Sequence, residues 1–170
     1  ERTEDSGSNV PYKRHVHDHC QQGKIFYKEF IKYKEFFEDL IVTEIDEAQS
    51  KIGCTCYKEG DYLDSHTDYI KERVISFVYH HTKAWEKHCG GELVFDGLYG
   101  VREIRPKYNT LYLFLPSKNS FHRIRNVRCG NRYSISGWGI SVENSLPNKI
   151  LHDVMETRHE NIMKNHYKVT

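Results

Sequence analysis

The apolar positions of the chain fall into two regimes. Between residues 25 and 50, Phe26, Phe30, Tyr33, Phe37, Leu40 and Ile41 recur three and four residues apart, and Lys28, Lys32, Lys34, Glu38 and Asp39 fill much of the remainder. That period collects the apolar residues on one stripe of an amphipathic helix, whose plainest use is a packing face. A second helical stretch is expected over residues 45–50. From Lys51 the period shortens. Residues 52–57, 62–68, 74–81, 92–95, 101–104, 110–115, 121–127 and 132–141 read as short strands, broken at Glu59-Gly60-Asp61, Gly90-Gly91, Pro106 and Pro116. Eight or so short strands with Gly and Pro punctuation at close intervals predict a sandwich or barrel, so the expected class is mainly β with flanking helices. Residues 1–24 are polar and predict a loose or partly docked arm. Beyond Pro147 the pattern is helical again (Ile150, Leu151, Val154, Met155, Ile162, Met163), and a C-terminal helix over 147–168 is expected to cover a barrel edge or outer face.

Length and charge narrow the picture further. A chain of 170 residues suggests one domain, here 25–170, able to bury roughly 70% of its unfolded surface. With 25 Lys and Arg against 24 Asp and Glu, the net charge is +1, which disfavours a nucleic-acid partner held by general electrostatics. No run of about 18 apolar residues occurs, so no membrane partner is expected. The five cysteines (Cys20, Cys54, Cys56, Cys89, Cys129) are odd in number. They are read as reduced thiols of an intracellular protein, cytoplasmic or nuclear.

Candidate chemistry lies in a few positions. His66 and Asp68 are two apart at the end of an extended segment, where period two points both side chains the same way. His122 begins a later strand. Two imidazoles and one carboxylate fill one face of an octahedron and leave three positions open, an arrangement that suits non-haem Fe(II) binding a chelating cosubstrate and dioxygen. Arg132 follows ten residues after His122, and an inward arginine on a strand demands an anionic partner. A dicarboxylate would supply one to the planar guanidinium fork. His15, His17, His19 and Cys20 form a second cluster with zinc-ligating residue types, but no matching second half with zinc-finger spacing follows. The plainer reading is a solvated arm.

The order His66-Thr67-Asp68, His122, Arg132 resembles the 2-oxoglutarate and Fe(II)-dependent dioxygenases. The prolyl-hydroxylase branch fits best, with those acting on a ribosomal protein nearest in flavour. Supporting segments follow in the family's order: Cys56-Tyr57 and Gly60-Asp61, Arg73 to Tyr79, Trp85, Gly90 to Phe95, Ile104 to Pro106, Asn109 to Phe114 and Ser134 to Trp138. The resemblance covers roughly residues 26–141. It implies a double-stranded β-helix, a jelly-roll or cupin-like core, over 51–141. It assigns His66, Asp68 and His122 to iron and Arg132 to the distal carboxylate of 2-oxoglutarate. Ser136, on the same strand face, is expected to donate to that carboxylate, and Tyr57 to line the pocket. Where relatives often carry a tyrosine that touches the carboxylate, this chain has His80, with Tyr79 just before it. The two point to opposite faces of a strand, so only one can serve; His80 is preferred. Iron ligation by His80 or His81 is the lesser option.

The implied reaction consumes 2-oxoglutarate and O2, with ascorbate as a further expected cofactor, and hydroxylates a prolyl residue of a protein or peptide with release of succinate and CO2. The alternatives are oxidation of another side chain such as lysyl, a free amino acid or a small molecule, or a non-catalytic binding module on the same fold.

Overall fold

The computed structural model describes residues 12–17, 20–97 and 100–142. The predicted aromatic helix begins earlier than its stripe, because Cys20 caps it: the Cys20 Sγ accepts a hydrogen bond from the Gly23 amide at 3.1 Å. Helix α1 (Gln21–Phe30) passes through a 3₁₀ turn at Ile31–Tyr33 into α2 (Lys34–Ile41). The left-handed conformation of Val42, at φ 53°, ends it. A β-branched residue there carries no sequence signal of a helix stop.

The helix expected over 45–50 is a strand. The segment is the first half of β3 (Ile45–Tyr57), where Ile45 and Asp46 pair with Ser141 and Ile140 of β10 (Arg132–Ser141). Its short polar run gave no period-two signal, and sheet pairing overrides local propensity. The polar arm also docks. Strand β1 (Tyr12–Lys13) pairs with β4 (Tyr62–His66), and β2 (His15–His17) pairs with β3. His15 Nε2 lies 3.8 Å from a carboxylate oxygen of buried Asp61, while Cys20 is bonded to Cys54, so these two members of the His/Cys cluster, read as a solvated arm, take different partners in the fold. His19 and the C-terminal helix predicted over 147–168 lie outside the described residues.

The remaining strands are β5 (Arg73–His80), β6 (Leu93–Gly97), β7 (Gly100–Ile104), β8 (Thr110–Phe114) and β9 (His122–Ile124). They form two five-stranded antiparallel sheets, β1-β4-β9-β6-β7 and β2-β3-β10-β5-β8, the jelly-roll arrangement. The helices cover one face of the second sheet. There Phe30, Phe37 and Ile41 pack on Ile45, Val74, Ile75, Phe77 and Ile135, with Phe26 stacked on Tyr79 at 4.8 Å. Each such buried side chain contributes about 1.5–3 kcal/mol. Gly137 of β10 permits this approach, since a Cβ there would meet the Lys51 carbonyl and the Phe77 ring. The other core, Tyr57, Leu63, Leu93, Ile124 and Val127, takes in residues of both sheets.

The reduced-thiol expectation is corrected for four cysteines. Cys20 is bonded to Cys54 and Cys89 to Cys129, and only Cys56 is free and buried among the described residues. Separations of 34 and 40 residues hide both pairs from the sequence. The fold creates them, by docking the start of α1 on β3 and by joining the loops that flank the Gly90–Val127 bridge.

Candidate active site

His66 closes β4 and His122 opens β9. The two strands are neighbours, and their register sets the two histidines directly opposite each other, with ring centroids 4.3 Å apart. Asp68 lies just beyond β4. Its Oδ1 is 3.7 Å from His66 Nε2 and its Oδ2 is 3.6 Å from His122 Nε2. The tautomers follow from the other ring nitrogens. His66 Nδ1 is 2.8 Å from the Asp64 carbonyl and His122 Nδ1 is 3.0 Å from the Ser120 carbonyl. A carbonyl can only accept, so both Nδ1 atoms carry a proton, and in the neutral ring that leaves the Nε2 lone pair facing Asp68. Burial, and then His122, hold the His66 pKa below its usual value, so the ring is neutral at neutral pH.

Three acceptors thus converge, their ligand atoms all within 4.8 Å of one another. Only a cation satisfies such a set, and two nitrogens with one carboxylate suit a divalent transition metal. Supports hold the set in place. Ser76 of β5 donates its hydroxyl to Asp68 Oδ2 at 2.9 Å. Arg73 donates to the Asp68 carbonyl at 3.2 Å and lies 3.9 Å over the Trp138 ring, bracing the loop that carries the carboxylate.

A cavity of about 450 Å³ adjoins the triad, lined also by Tyr57, Arg132 and Ser134. Arg132 is 1% exposed. Its Nη1 donates to Ser134 Oγ at 3.0 Å, and that hydroxyl is 2.7 Å from Thr55 Oγ1. Its Nε and Nη2, the atoms of one guanidinium edge, have no hydrogen-bond partner among the described residues. Burial pulls the guanidinium pKa down to about 10, so it stays charged at neutral pH. An edge of two parallel donors on a buried cation matches the two oxygens of a carboxylate.

His80 stands one strand over, register-paired with Ser134, and is wholly buried with both ring nitrogens unpartnered among the described residues. Burial, and then the Arg132 charge, push its pKa down to about 3, so it is a neutral imidazole with one donor and one acceptor to offer. Tyr79 points the other way. Its ring packs on Phe26, and its hydroxyl donates to Asn109 Oδ1 at 2.8 Å. The alternation of β5 therefore leaves His80 on the inner face. Gly91 crosses beside the arginine at φ +68°, where a Cβ would stand 3.0 Å from Arg132 Cδ.

The structure gathers His66, Asp68 and His122 at one point with Tyr57 and Arg132 along the same cavity, while His80, paired in register with Ser134 and packed edge-on against Tyr112, is buried behind that lining. The Tyr57 ring centroid is 5.1 Å from Arg132 Cζ. Ser136 lines the cavity, but the hydroxyl bonded to Arg132 is that of Ser134. His81 is exposed and outside both groups. Sequence reasoning missed Ser134, which period two places on Arg132's own face. It also missed Ser76, Arg73 and Arg14, a cavity-lining residue between β1 and β2 whose Nη1 is 3.5 Å from the Tyr57 hydroxyl. No local pattern marks these three.

Known proteins resemble this chain in sequence and in fold. The sequence model of the 2OG-Fe(II) oxygenase superfamily matches residues 52–139. Prolyl 3-hydroxylase OGFOD1 of Xenopus laevis is 28% identical over 127 residues, 67% of this chain and 24% of that protein. Prolyl 3-hydroxylase sudestada1 of Drosophila melanogaster is 31% identical over 101 residues, 51% of this chain and 19% of that protein. The chain therefore spans about a quarter or less of these relatives' length. Among solved structures, a Pseudomonas putida prolyl-4-hydroxylase shares the fold with a TM-score of 0.64 at 16% identity, over 82% of this chain and 77% of that one.

Proposed function

This chain belongs to the 2OG-Fe(II) oxygenase superfamily, and we propose that it hydroxylates a prolyl residue of a protein or peptide, converting 2-oxoglutarate to succinate and CO2. His66, Asp68 and His122 would hold Fe(II). Arg132 and His80 would hold the distal carboxylate of 2-oxoglutarate. The observation that carries the reading is the pairing of a three-acceptor cluster with an unpartnered buried guanidinium edge along one cavity. A metal-chelating keto-acid with a second carboxylate satisfies both ends at once. The prolyl substrate rests on the resemblance to the two prolyl 3-hydroxylases.

Bound at this site, Fe(II) supplies the redox chemistry that couples decarboxylation of the keto-acid to oxygen insertion into a C–H bond. The chain's own residues provide position and charge. The Asp64 and Ser120 carbonyls fix the histidine tautomers, so Nε2 is the ligating atom without a proton to lose. Ser76 holds the carboxylate against rotation. Ser134, tied to Thr55, turns the Arg132 fork so that its Nε–Nη2 edge is free for the ligand. Neutral His80 donates one hydrogen bond without adding a second charge beside the arginine. Tyr57 and Leu93 wall the cavity and exclude water from the ion pair, which strengthens it.

The test is oxygen incorporation. Purified chain with Fe(II), 2-oxoglutarate and a panel of prolyl peptides is expected to give a peptide heavier by one oxygen, with matching succinate. Succinate formation with oxygen entering only free amino acids or small molecules would remove the peptide assignment. Absence of turnover despite tight metal and 2-oxoglutarate binding, across a broad panel, would favour a binding module.

A further inference from the structure

A second cluster of ligand atoms forms outside the triad, where two loops close on each other. His88 and Cys89 end the 3₁₀ turn Lys87–Cys89, and Cys129 lies in the loop between β9 and β10. The ligand atoms of His88, Cys89 and Cys129 all stand within 4.8 Å of one another. Cys89 is buried, Cys129 half-buried and His88 exposed. In the structure the two sulfurs are bonded to each other, with the imidazole beside them.

Main-chain and side-chain hydrogen bonds hold this convergence independently of the sulfur bond. The Arg128 amide donates to the Cys89 carbonyl at 2.7 Å, and the Gly91 amide to the Asn126 carbonyl at 3.3 Å. Arg128 Nε donates to the His88 carbonyl at 2.8 Å, and Trp85 Nε1 to the Gly90 carbonyl at 2.9 Å. Reduction of the disulfide removes none of these, so the two Cα atoms stay near their 4.8 Å separation. Two sulfurs sharing one zinc ion stand about 3.8 Å apart, given Zn–S bonds of about 2.3 Å at the tetrahedral angle. A change of side-chain rotamer opens the pair to that spacing. We propose that Cys89 and Cys129, once reduced, form with His88 a second metal site, which takes a divalent cation of the zinc class.

Two thiolates cancel the charge of a divalent cation. With the imidazole they make a softer donor set than the two nitrogens and one carboxylate of the triad, and such a set selects zinc over magnesium, calcium or manganese. The exposed side of His88 leaves the fourth tetrahedral position to water. The site forms in two steps. A small dithiol reductant attacks one protein sulfur, the S–S bond breaks, and the reductant's second thiol resolves the mixed disulfide, so the protein gains two thiols and the reductant becomes a cyclic disulfide. The cation then displaces both thiol protons to solvent. The metal takes over the disulfide's part as a crosslink between the two loops. Gly91, two residues past Cys89, is the residue whose Cβ would stand 3.0 Å from Arg132 Cδ, so the crosslink sits next to the wall behind that arginine.

The test titrates the full chain with Co(II), a spectroscopic stand-in for zinc, in the oxidised state and after reduction by dithiothreitol and removal of the excess without air. A sulfur-to-cobalt charge-transfer band is expected from the reduced protein alone, since the triad holds no sulfur, and added zinc should bleach it. The double variant Cys20→Ser, Cys54→Ser should keep the band, and Cys89→Ser, Cys129→Ser should lose it. His88 is exposed, so His88→Ala leaves folding intact. That variant should weaken cobalt binding at the band by at least about 10-fold, the cost of losing even an outer-shell partner. Equilibrium dialysis should find one more zinc on the reduced chain than on the oxidised one. A band that survives loss of Cys89 and Cys129 or follows Cys20 and Cys54, equal zinc uptake in both redox states, or an affinity unchanged by His88→Ala would overturn the proposal.

Discussion

His80→Leu separates the two demands that a buried, unpartnered imidazole near Arg132 makes on the protein. The imidazole is fully buried beside Arg132, and neither nitrogen finds a partner among the described residues. In the ligand-free protein this is a cost. A buried unsatisfied polar group loses about 1–3 kcal/mol, so removing the nitrogens with a side chain of similar volume should raise stability by about 2 kcal/mol. That is a rise in Tm of about 4–8 °C. For ligand binding the sign reverses. A hydrogen bond to a carboxylate contributes about 1.5–3 kcal/mol, so its loss should weaken 2-oxoglutarate by about 10- to 150-fold. The measurements are thermal unfolding of the metal-free protein and calorimetric titration of 2-oxoglutarate into protein loaded with Mn(II). A lowered Tm with unchanged 2-oxoglutarate affinity would refute the reasoning, because His80 would then be a satisfied core residue outside the ligand's reach.

The same group makes stability depend on pH. His80 has a folded pKa of about 3 against the usual 6.5 of a solvated imidazole, so between those values the unfolded chain binds the extra proton and stability rises with pH. Acid titration of unfolding should lose a few kcal/mol below pH 6.5, and His80→Leu should flatten that slope. Ser76→Ala removes the hydroxyl bonded to Asp68 and should weaken metal binding by about 10- to 100-fold, read by competition with a chelating dye. An unchanged metal affinity would free Ser76 from that role. Replacing Cys89 and Cys129 by alanine opens a crosslink spanning 40 residues and should cost about 4 kcal/mol, near 10 °C in Tm. An equal Tm for both proteins would show that the pair is not bonded in solution.

Much of the fold was legible because it depends on local period. The strands from residue 73 onward fall within a residue or three of their expected ends, and β10 coincides with its predicted span. The aromatic stripe of α1 and α2 was legible for the same reason, since Phe26, Phe30 and Phe37 pack together on the sheet. Misplaced elements are those whose conformation is set at a distance. Residues 45–50 are polar and short, and only pairing with the end of β10 makes them strand. The arm, with no apolar period of its own, is held by β3 and β4.

The site divides along the same line. His66, Asp68, His122 and Arg132 were offered as a set by residue type, spacing and family resemblance, and the structure lines one cavity with all four. Sequence alone could offer both His80 and Tyr79, because alternation says they differ without saying which side is inward. Packing of Tyr79 against Phe26 fixes that side. Ser76 reaching Asp68 from a neighbouring strand, and Cys89 meeting Cys129, belong to register and loop closure, which no local window contains. The sequence by itself determined which groups are available to bind a metal and an anion. Tertiary structure decided which of their atoms face one another, because that depends on strand pairing between residues far apart in the chain.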